Sequence, residues 1–129
     1  MIEETQTDRR QAPRYTPKND VFVVFRPSFD RLGQVKDVSR GGAAFEYPVF
    51  ANYEKVAEVN VDLFTSEPAP FILKSVPCEV VYDIKLEKPT LSGIQTRRCG
   101  LKFARLSHQH SEQLEFFLHK YGSPALLGA

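Results

Sequence analysis

A segment near the N-terminus, Arg9-Arg10-x-x-x-Arg14, carries side chains whose chemistry suits an anionic ligand. Guanidinium groups are planar, rigid donors that match phosphate oxygens and the O6/N7 edge of guanine, and they also stack on base faces. With nine arginines in 129 residues, chance alone predicts about half an Arg-x-x-x-Arg spacing. The arginine motif is therefore informative only together with a second pattern.

That second pattern, Asp37-x-Ser39-x-x-Gly42, is much rarer. Six Asp, eight Ser and seven Gly predict only about 0.02 chance occurrences in a chain of this length. The Asp37 carboxylate can accept hydrogen bonds from the donor edge of guanine, and the Ser39 hydroxyl can donate or accept. Gly41 and Gly42 remove side chains where a ligand comes close, or allow a positive φ.

The two motifs are chemically complementary, because arginines suit the phosphates and the O6/N7 edge while a carboxylate suits the remaining edge of guanine. Together they describe a guanine nucleotide site. The sequence has no phosphate-binding glycine-rich loop with its lysine and Mg²⁺-binding hydroxyl, which disfavours GTP as the ligand.

Residues that could support catalysis or metal binding do not form a usable set. His108, His110 and His119 lie in or beside a predicted terminal helix, on roughly opposite faces, so they do not converge on one metal. Cys78 and Cys99 lack the close paired spacing of a zinc site and fall on predicted inward strand faces. No nucleophile has an evident base. The prediction is a non-enzyme without catalytic residues, metal or cofactor.

Length and composition indicate one globular domain. The 129 residues are 42% hydrophobic and 26% charged, and ten Phe with five Tyr can fill one core. No run is long and apolar enough to span a membrane, and the polar N-terminus does not resemble a signal peptide. We therefore expect a cytoplasmic protein with reduced cysteines and no membrane partner.

The net charge of +1 is unevenly distributed along the chain. The formal charge is +4 over residues 8–40, −4 over 41–96 and +3 over 97–129. This asymmetry is compatible with an anion-binding face, although a mixed, solvated surface also explains it.

Hydrophobic periodicity predicts a mainly β fold with one C-terminal helix. Apolar runs and period-two alternation indicate about six strands, near residues 21–25, 35–39, 43–47, 59–63, 76–84 and 99–103. Helical spacing then relates Leu114, Phe117, Leu118 and Tyr121, with Ser107 or Ser111 as the cap and Gly122 and Pro124 as the stop. Because no βαβ alternation is present, we expect an antiparallel sheet closed as a six-stranded barrel.

Strand parity predicts which side chains fill that barrel. In the strand near residues 76–84, the face predicted to be buried holds Val76, Cys78, Val80, Tyr82 and Ile84, opposite Pro77, Glu79 and Asp83. In the strand near residues 99–103, that face holds Cys99, Leu101 and Phe103, opposite Arg98, Gly100 and Lys102. The chain is thus expected to comprise a flexible arm at 1–19, a barrel with its helix at 20–122, and a tail at 123–129.

The order of these features resembles the bacterial PilZ domain. The resemblance rests on the arginine motif, an apolar first strand, Asp37-x-Ser39-x-x-Gly42, and a last strand, Arg98-Cys99-Gly100-Leu101-Lys102-Phe103, followed by a helix. It covers about residues 8–121 and implies a six-stranded split β-barrel that binds the second messenger cyclic di-GMP (c-di-GMP).

The resemblance also implies roles for individual residues. Arg10 and Arg14 would clamp phosphates and guanine edges, and Asp37 and Ser39 would bind a guanine outside the barrel. Gly42 would shape the loop. Arg9 would favour two intercalated ligand molecules per chain. Residues 1–19 lack an apolar pattern that could anchor them, so we also expect the ligand to order this arm and thereby signal to an unidentified downstream protein. Arg98 and Lys102 face outward on the last strand and would contribute electrostatically, although no motif supports them.

Two other functions remain open at this point. A small barrel with basic patches and aromatics suits single-stranded nucleic acid, although near-neutral charge disfavours it and core packing explains most aromatics. A PilZ-like module without a ligand, contacting only proteins, is the second alternative. The intact motifs favour c-di-GMP and no nucleic-acid partner.

Overall fold

The computed structural model describes residues 14–17, 20–49, 54–66, 71–87 and 93–124. Within them the elements are, in chain order, β1 (Tyr15–Pro17), β2 (Val21–Arg26), β3 (Leu32–Val38), β4 (Gly42–Pro48), β5 (Glu58–Thr65), β6 (Ile72–Lys85), β7 (Thr96–Phe103), α1 (His108–Tyr121) and β8 (Gly122–Pro124). The strands predicted from alternation are all present.

Six of the strands close into an antiparallel barrel. Their order is β2-β5-β6-β7-β4-β3, and β3 pairs back with β2 through Val24 and Leu32 to complete the ring. The short strand β1 lies beside the end of β3, pairing Tyr15 with Val38, and β8 pairs with the far side of β1. The predicted mainly β fold, a six-stranded antiparallel barrel with a C-terminal helix, is confirmed.

Strand β1 falls inside the segment predicted as a flexible arm, and β8 overlaps the start of the predicted tail. The sheet therefore reaches residue 15 and residue 124, further than the alternation pattern indicated. The remainder of the arm prediction, at residues 1–13, 18 and 19, and of the tail prediction, at 125–129, lies outside the described residues.

The barrel interior is filled by side chains from every strand of the ring. Fully buried residues include Val23, Phe45 and Leu63, and the Phe45 ring contacts Phe25 at a centroid distance of 5.8 Å. Aromatic and branched side chains of this size leave no lumen, so a ligand has to bind on an outer surface.

Helix α1 begins where the sequence predicts. The Ser107 side chain accepts a hydrogen bond from the His110 amide at 2.9 Å, which satisfies one of the free N–H groups of the first turn. The helix buries one face against the barrel core, and that face consists of Leu114, Phe117, Leu118 and Tyr121. It ends at Gly122, whose amide donates to the Leu118 carbonyl.

The predicted parity of β6 is wrong beyond Val80. The register between β6 and β7 shifts between Val80 and Tyr82, so Val81 is an extra, unpaired residue of a β-bulge. Because the bulge reverses the alternation, Tyr82 and Ile84 are exposed, at 38% and 50%, although they were predicted to point inward. Asp83, predicted to point outward, is buried instead.

The inward Asp83 carboxylate is compensated by a cluster of donors. The Tyr47 hydroxyl and Arg97 Nε each donate to it at 2.7 Å, and Arg31 Nη1 lies 3.5 Å away. Burial, and then the hydrogen bond to Asp83, raise the pKa of the Tyr47 hydroxyl. A buried charge is tolerated only with such partners, so this cluster fixes the register of the strands that supply it.

Replacing Asp83 with Ala should destabilise the fold strongly. Arg31 and Arg97 would lose a buried counter-charge, and breaking a buried pair in this way costs about 3–5 kcal/mol. Chemical denaturation would measure the loss of unfolding free energy. Asp30→Ala, which removes an exposed carboxylate, is the matched control and should change it by less than about 0.5 kcal/mol. Equal effects of the two substitutions would contradict the assignment of Asp83 to a buried cluster.

Cys78 and Cys99 should react slowly with a thiol reagent in the native protein. Both are free and buried, as their parity predicts, and burial raises the pKa of each thiol to about 12. Even at pH 10, where an exposed thiol is ionised, the native thiols remain protonated, and the thiolate is the reactive form. Labelling should become fast only in denaturant. Rapid labelling of both without denaturant would show the inward placement to be wrong.

Candidate ligand-binding groove

Asp37 reaches the outer surface because β3 contains a second bulge. The pairing of β3 with β4 shifts between Val35 and Asp37, which makes Lys36 the extra residue. Two consecutive side chains, Lys36 and Asp37, therefore face outward before Val38 turns back into the core. The bulge thus sets the direction of the Asp37 carboxylate.

The loop after β3 is closed by its own hydrogen bonds. The Ser39 amide donates to the Gly42 carbonyl at 2.8 Å, and the Gly41 amide donates to Ser39 Oγ at 3.1 Å. Since Oγ is the acceptor in that bond, the Ser39 hydroxyl proton can be donated to a ligand. A Cβ on Gly42 would overlap the Leu101 carbonyl oxygen, so only glycine allows β4 and β7 to pair this closely.

Small residues form the floor of a groove across four strands. The register places Asp37 opposite Ala44, Ala44 opposite Gly100, and Gly100 opposite Tyr82, in one row over β3, β4, β7 and β6. The Tyr82 ring lies over Gly100, where a Cβ would overlap it. The result is an open groove of about 570 Å³ with a carboxylate at one end and an aromatic ring at the other.

Arg14, immediately before β1, also contributes to this groove. Its Nη1 lies 3.5 Å from Asp37 Oδ2, and 45% of its side chain is exposed. The pairing of Tyr15 with Val38 explains the position, because it holds the chain alongside the end of β3. The structure thus brings Arg14, Asp37, Ser39 and Gly42 together. Arg9 and Arg10 lie outside the described residues.

Arg98, on the last strand of the barrel, contacts two side chains that line the groove. It donates to Asp37 Oδ2 at 3.3 Å, to Glu46 Oε2 at 3.2 Å and to the Tyr82 hydroxyl at 3.3 Å. The hydrogen bond to Tyr82, opposed by burial, raises the pKa of the guanidinium. Parity placed Arg98 outward correctly, but its contacts with acceptors on three other strands have no sequence signal.

Most of the charged side chains at the groove have a partner of opposite charge. The guanidinium groups of Arg14 and Arg98 face the carboxylates of Asp37 and Glu46. Arg40, in the loop, is paired with Glu115 of α1. Lys102, which also lines the groove, adds a further positive charge.

The groove presents several kinds of binding group. It offers guanidinium donors, a carboxylate acceptor, a hydroxyl donor and an aromatic face, and the two cysteines lie on the other side of the sheet. Within the described part of the chain, no three His, Cys, Asp or Glu side chains are grouped as metal ligands, and no helix is long and apolar enough to cross a membrane.

Comparisons with solved structures identify the same fold. The PilZ domain of YcgR from Escherichia coli with c-di-GMP superimposes with a TM-score of 0.66 at 13% identity, covering 88% of this chain and 91% of that one. YcgR from Escherichia coli in complex with c-di-GMP gives 0.58 at 14%, covering 86% and 45%. MrkH, a c-di-GMP-dependent transcription regulatory factor, gives 0.60 at 19%, covering 86% and 50%.

The chain spans about half the length of the latter two structures, and at these identities the likeness shows the fold alone. No curated protein sequence matches significantly. A family model for the PilZ domain matches residues 8–120, from the arginine motif almost to the end of α1. Since that match covers most of the sequence, the chain belongs to the PilZ domain family.

Proposed function

We propose that this protein is a non-enzymatic, cytoplasmic receptor for c-di-GMP, which binds in the groove between Asp37 and Tyr82. The observation that carries the proposal is the meeting of Arg14 with Asp37 and Ser39 on the outer face of the barrel. Two motifs separated by 22 residues of sequence supply complementary halves of one guanine nucleotide site. That c-di-GMP occurs with the PilZ domain of YcgR supports the choice of ligand.

We assign to Asp37 the role of accepting hydrogen bonds from the donor edge of one guanine. Both of its contacts to described residues use Oδ2, so Oδ1 can accept from the guanine N1–H and 2-amino groups. Ser39 donates its hydroxyl proton to the ligand, and Gly42 keeps the loop close to the sheet. The flat floor of Ala44 and Gly100 lets a planar base approach the strands.

We assign to Arg14, together with Arg10, the binding of a phosphate group of the ligand. In the free protein Arg14 is half-exposed and lies at the limit of contact with Asp37, so it can exchange that carboxylate for a phosphate at little cost. Arg9 and Arg10 would approach from the segment before β1. A third guanidinium at Arg9 favours a stacked pair of ligand molecules, and we propose a stoichiometry of two per chain.

Signalling would follow from ordering of the segment that carries Arg9 and Arg10. Fixing a residue costs roughly 1–2 kcal/mol, which contacts to two phosphates and stacked guanines can offset for a short stretch. Because β1 is already paired with β3, only the residues before Arg14 need to be ordered. Their new position would alter the surface offered to an unidentified downstream protein.

The main alternative ligand is single-stranded nucleic acid, and one titration separates the two. Core packing accounts for Phe25 and Phe45, and Arg14 and Arg98 are already paired with a carboxylate, which reduces counterion-driven affinity. Calorimetry should show saturable binding of c-di-GMP and none of a single-stranded oligonucleotide at physiological salt. Binding of the oligonucleotide alone would replace this proposal, and binding of neither would leave a protein-interaction module.

Arg14→Ala and Asp37→Ala should each weaken c-di-GMP binding by about 1.5–3 kcal/mol, roughly ten- to a hundred-fold in Kd. Each removes a charge-assisted hydrogen bond to the ligand, and neither side chain belongs to the core. Lys36→Ala is the matched control, because Lys36 is exposed beside Asp37 and faces outward at the same bulge. Wild-type affinity in either test variant would remove that residue from the site.

Amide exchange over residues 8–13 should slow sharply when c-di-GMP is added, because the arginine segment becomes ordered on the ligand. Hydrogen exchange read by mass spectrometry resolves this segment, and α1 provides an internal reference that should not change. Unchanged exchange at saturating ligand would rule out the ordering mechanism. A calorimetric stoichiometry of one would separately refute the paired ligand.

A further inference from the structure

We propose that Arg98 is a positioning residue that sets the base selectivity of the groove by fixing the orientation of the Asp37 carboxylate. The inference rests on the proposed function, since it concerns how Asp37 reads the donor edge of guanine. Arg98 lies outside both sequence motifs, and its role arises only from contacts across the barrel surface.

Arg98 links side chains from three other strands. Its guanidinium reaches across β4 to Asp37 on β3, contacts Glu46 on β4, and contacts Tyr82 on β6, each at 3.2–3.3 Å. Glu46 lies directly opposite Arg98 in the register and accepts a hydrogen bond from its Nη1. A planar fork with several fixed donors can satisfy three acceptors at once, which a lysine ammonium on a flexible stem cannot do in the same geometry.

Of the two guanidinium groups at Asp37, Arg98 is the better held. Its side chain is 27% exposed, against 45% for Arg14, and Arg98 has two further partners that do not depend on a ligand. When Arg14 moves to a phosphate, Arg98 keeps its contact with Asp37 Oδ2. That contact directs Oδ1 toward the groove in the ligand-bound protein.

Fixing the carboxylate matters for selectivity more than for affinity. A carboxylate held in one orientation forms strong hydrogen bonds with a base whose N–H groups lie at the matching positions. With a base that lacks those groups, the same carboxylate is left without a partner, which costs binding free energy. A carboxylate free to rotate can turn to water when those donors are missing, which reduces the difference between two bases. Arg98 would therefore increase the penalty for a ligand without the 2-amino group.

The experiment compares c-di-GMP with cyclic di-IMP, which differs only by the two 2-amino groups. In the wild-type protein, Kd should be at least about tenfold lower for c-di-GMP, the value of one charge-assisted hydrogen bond. In Arg98→Ala the ratio of the Kd for cyclic di-IMP to the Kd for c-di-GMP should fall below about three. Arg98→Lys, which keeps the charge and disturbs the sheet less, should lose selectivity in the same direction.

Lys102→Ala is the control, because Lys102 lies on the same strand and the same outward face but contacts none of the three acceptors among the described residues. This substitution should weaken the binding of both ligands equally and leave the ratio of their Kd values as in the wild-type protein. In an Asp37→Ala background the ratio is already reduced, and adding Arg98→Ala should not change it further.

The outcomes separate this inference from the function on which it rests. If wild-type protein binds neither ligand, both proposals fail. If it binds c-di-GMP selectively and Arg98→Lys retains the wild-type ratio, only the role of Arg98 is overturned. Circular dichroism shows whether Arg98→Ala folds. If it does not, Arg98→Lys and Tyr82→Phe provide the test. Tyr82→Phe removes one hydrogen-bond acceptor of the guanidinium and should lower the ratio of the two Kd values partially.

Discussion

The closed six-stranded barrel is the constraint from which the other features follow. Its ring is small enough for side chains to fill completely, so every residue on a strand faces either a packed apolar interior or the outer surface. Functional groups can be collected only outside, on the face of the strands. The groove runs across four neighbouring strands. Two of them contribute the small residues Ala44 and Gly100 as its floor, and the outer two contribute the longer side chains of Asp37 and Tyr82 at its ends.

Two β-bulges decide which polar side chains reach that face. The bulge at Lys36 sends Asp37 outward, and the bulge at Val81 sends Tyr82 outward and Asp83 inward. The same kind of irregularity therefore produces one carboxylate available to a ligand and another enclosed by donors. Asp83 requires Tyr47, Arg31 and Arg97 around it, whereas Asp37 is 22% exposed and keeps one oxygen available.

Electrostatics at the groove favour exchange of partners over simple attraction. Arg14 and Arg98 already have carboxylate partners, so binding a phosphate replaces one ion pair by another. The exposed pair breaks easily and the better-held pair does not, which is why we propose Arg14 as a ligand contact and Arg98 as a positioning residue.

The sequence by itself determined the six strands of the barrel, the change from period two to helical spacing, the capping of α1 and the burial of Cys78 and Cys99. Each of these depends on local alternation, which a strand or helix expresses wherever it is placed. The sequence also supplied the two motifs, although whether Arg9 and Arg10 act with the rest is still a prediction.

Only the tertiary structure decided that Tyr82 lies outside and Asp83 inside, that Tyr15 pairs with Val38 of β3, and that Arg98 reaches Asp37. The physical reason is common to all three. A bulge is an extra residue relative to a partner strand, and an edge pairing or a cross-strand contact likewise depends on register between segments far apart in the chain. Alternation within one segment cannot contain that information, because the same residues would face the other way against a partner shifted by one position.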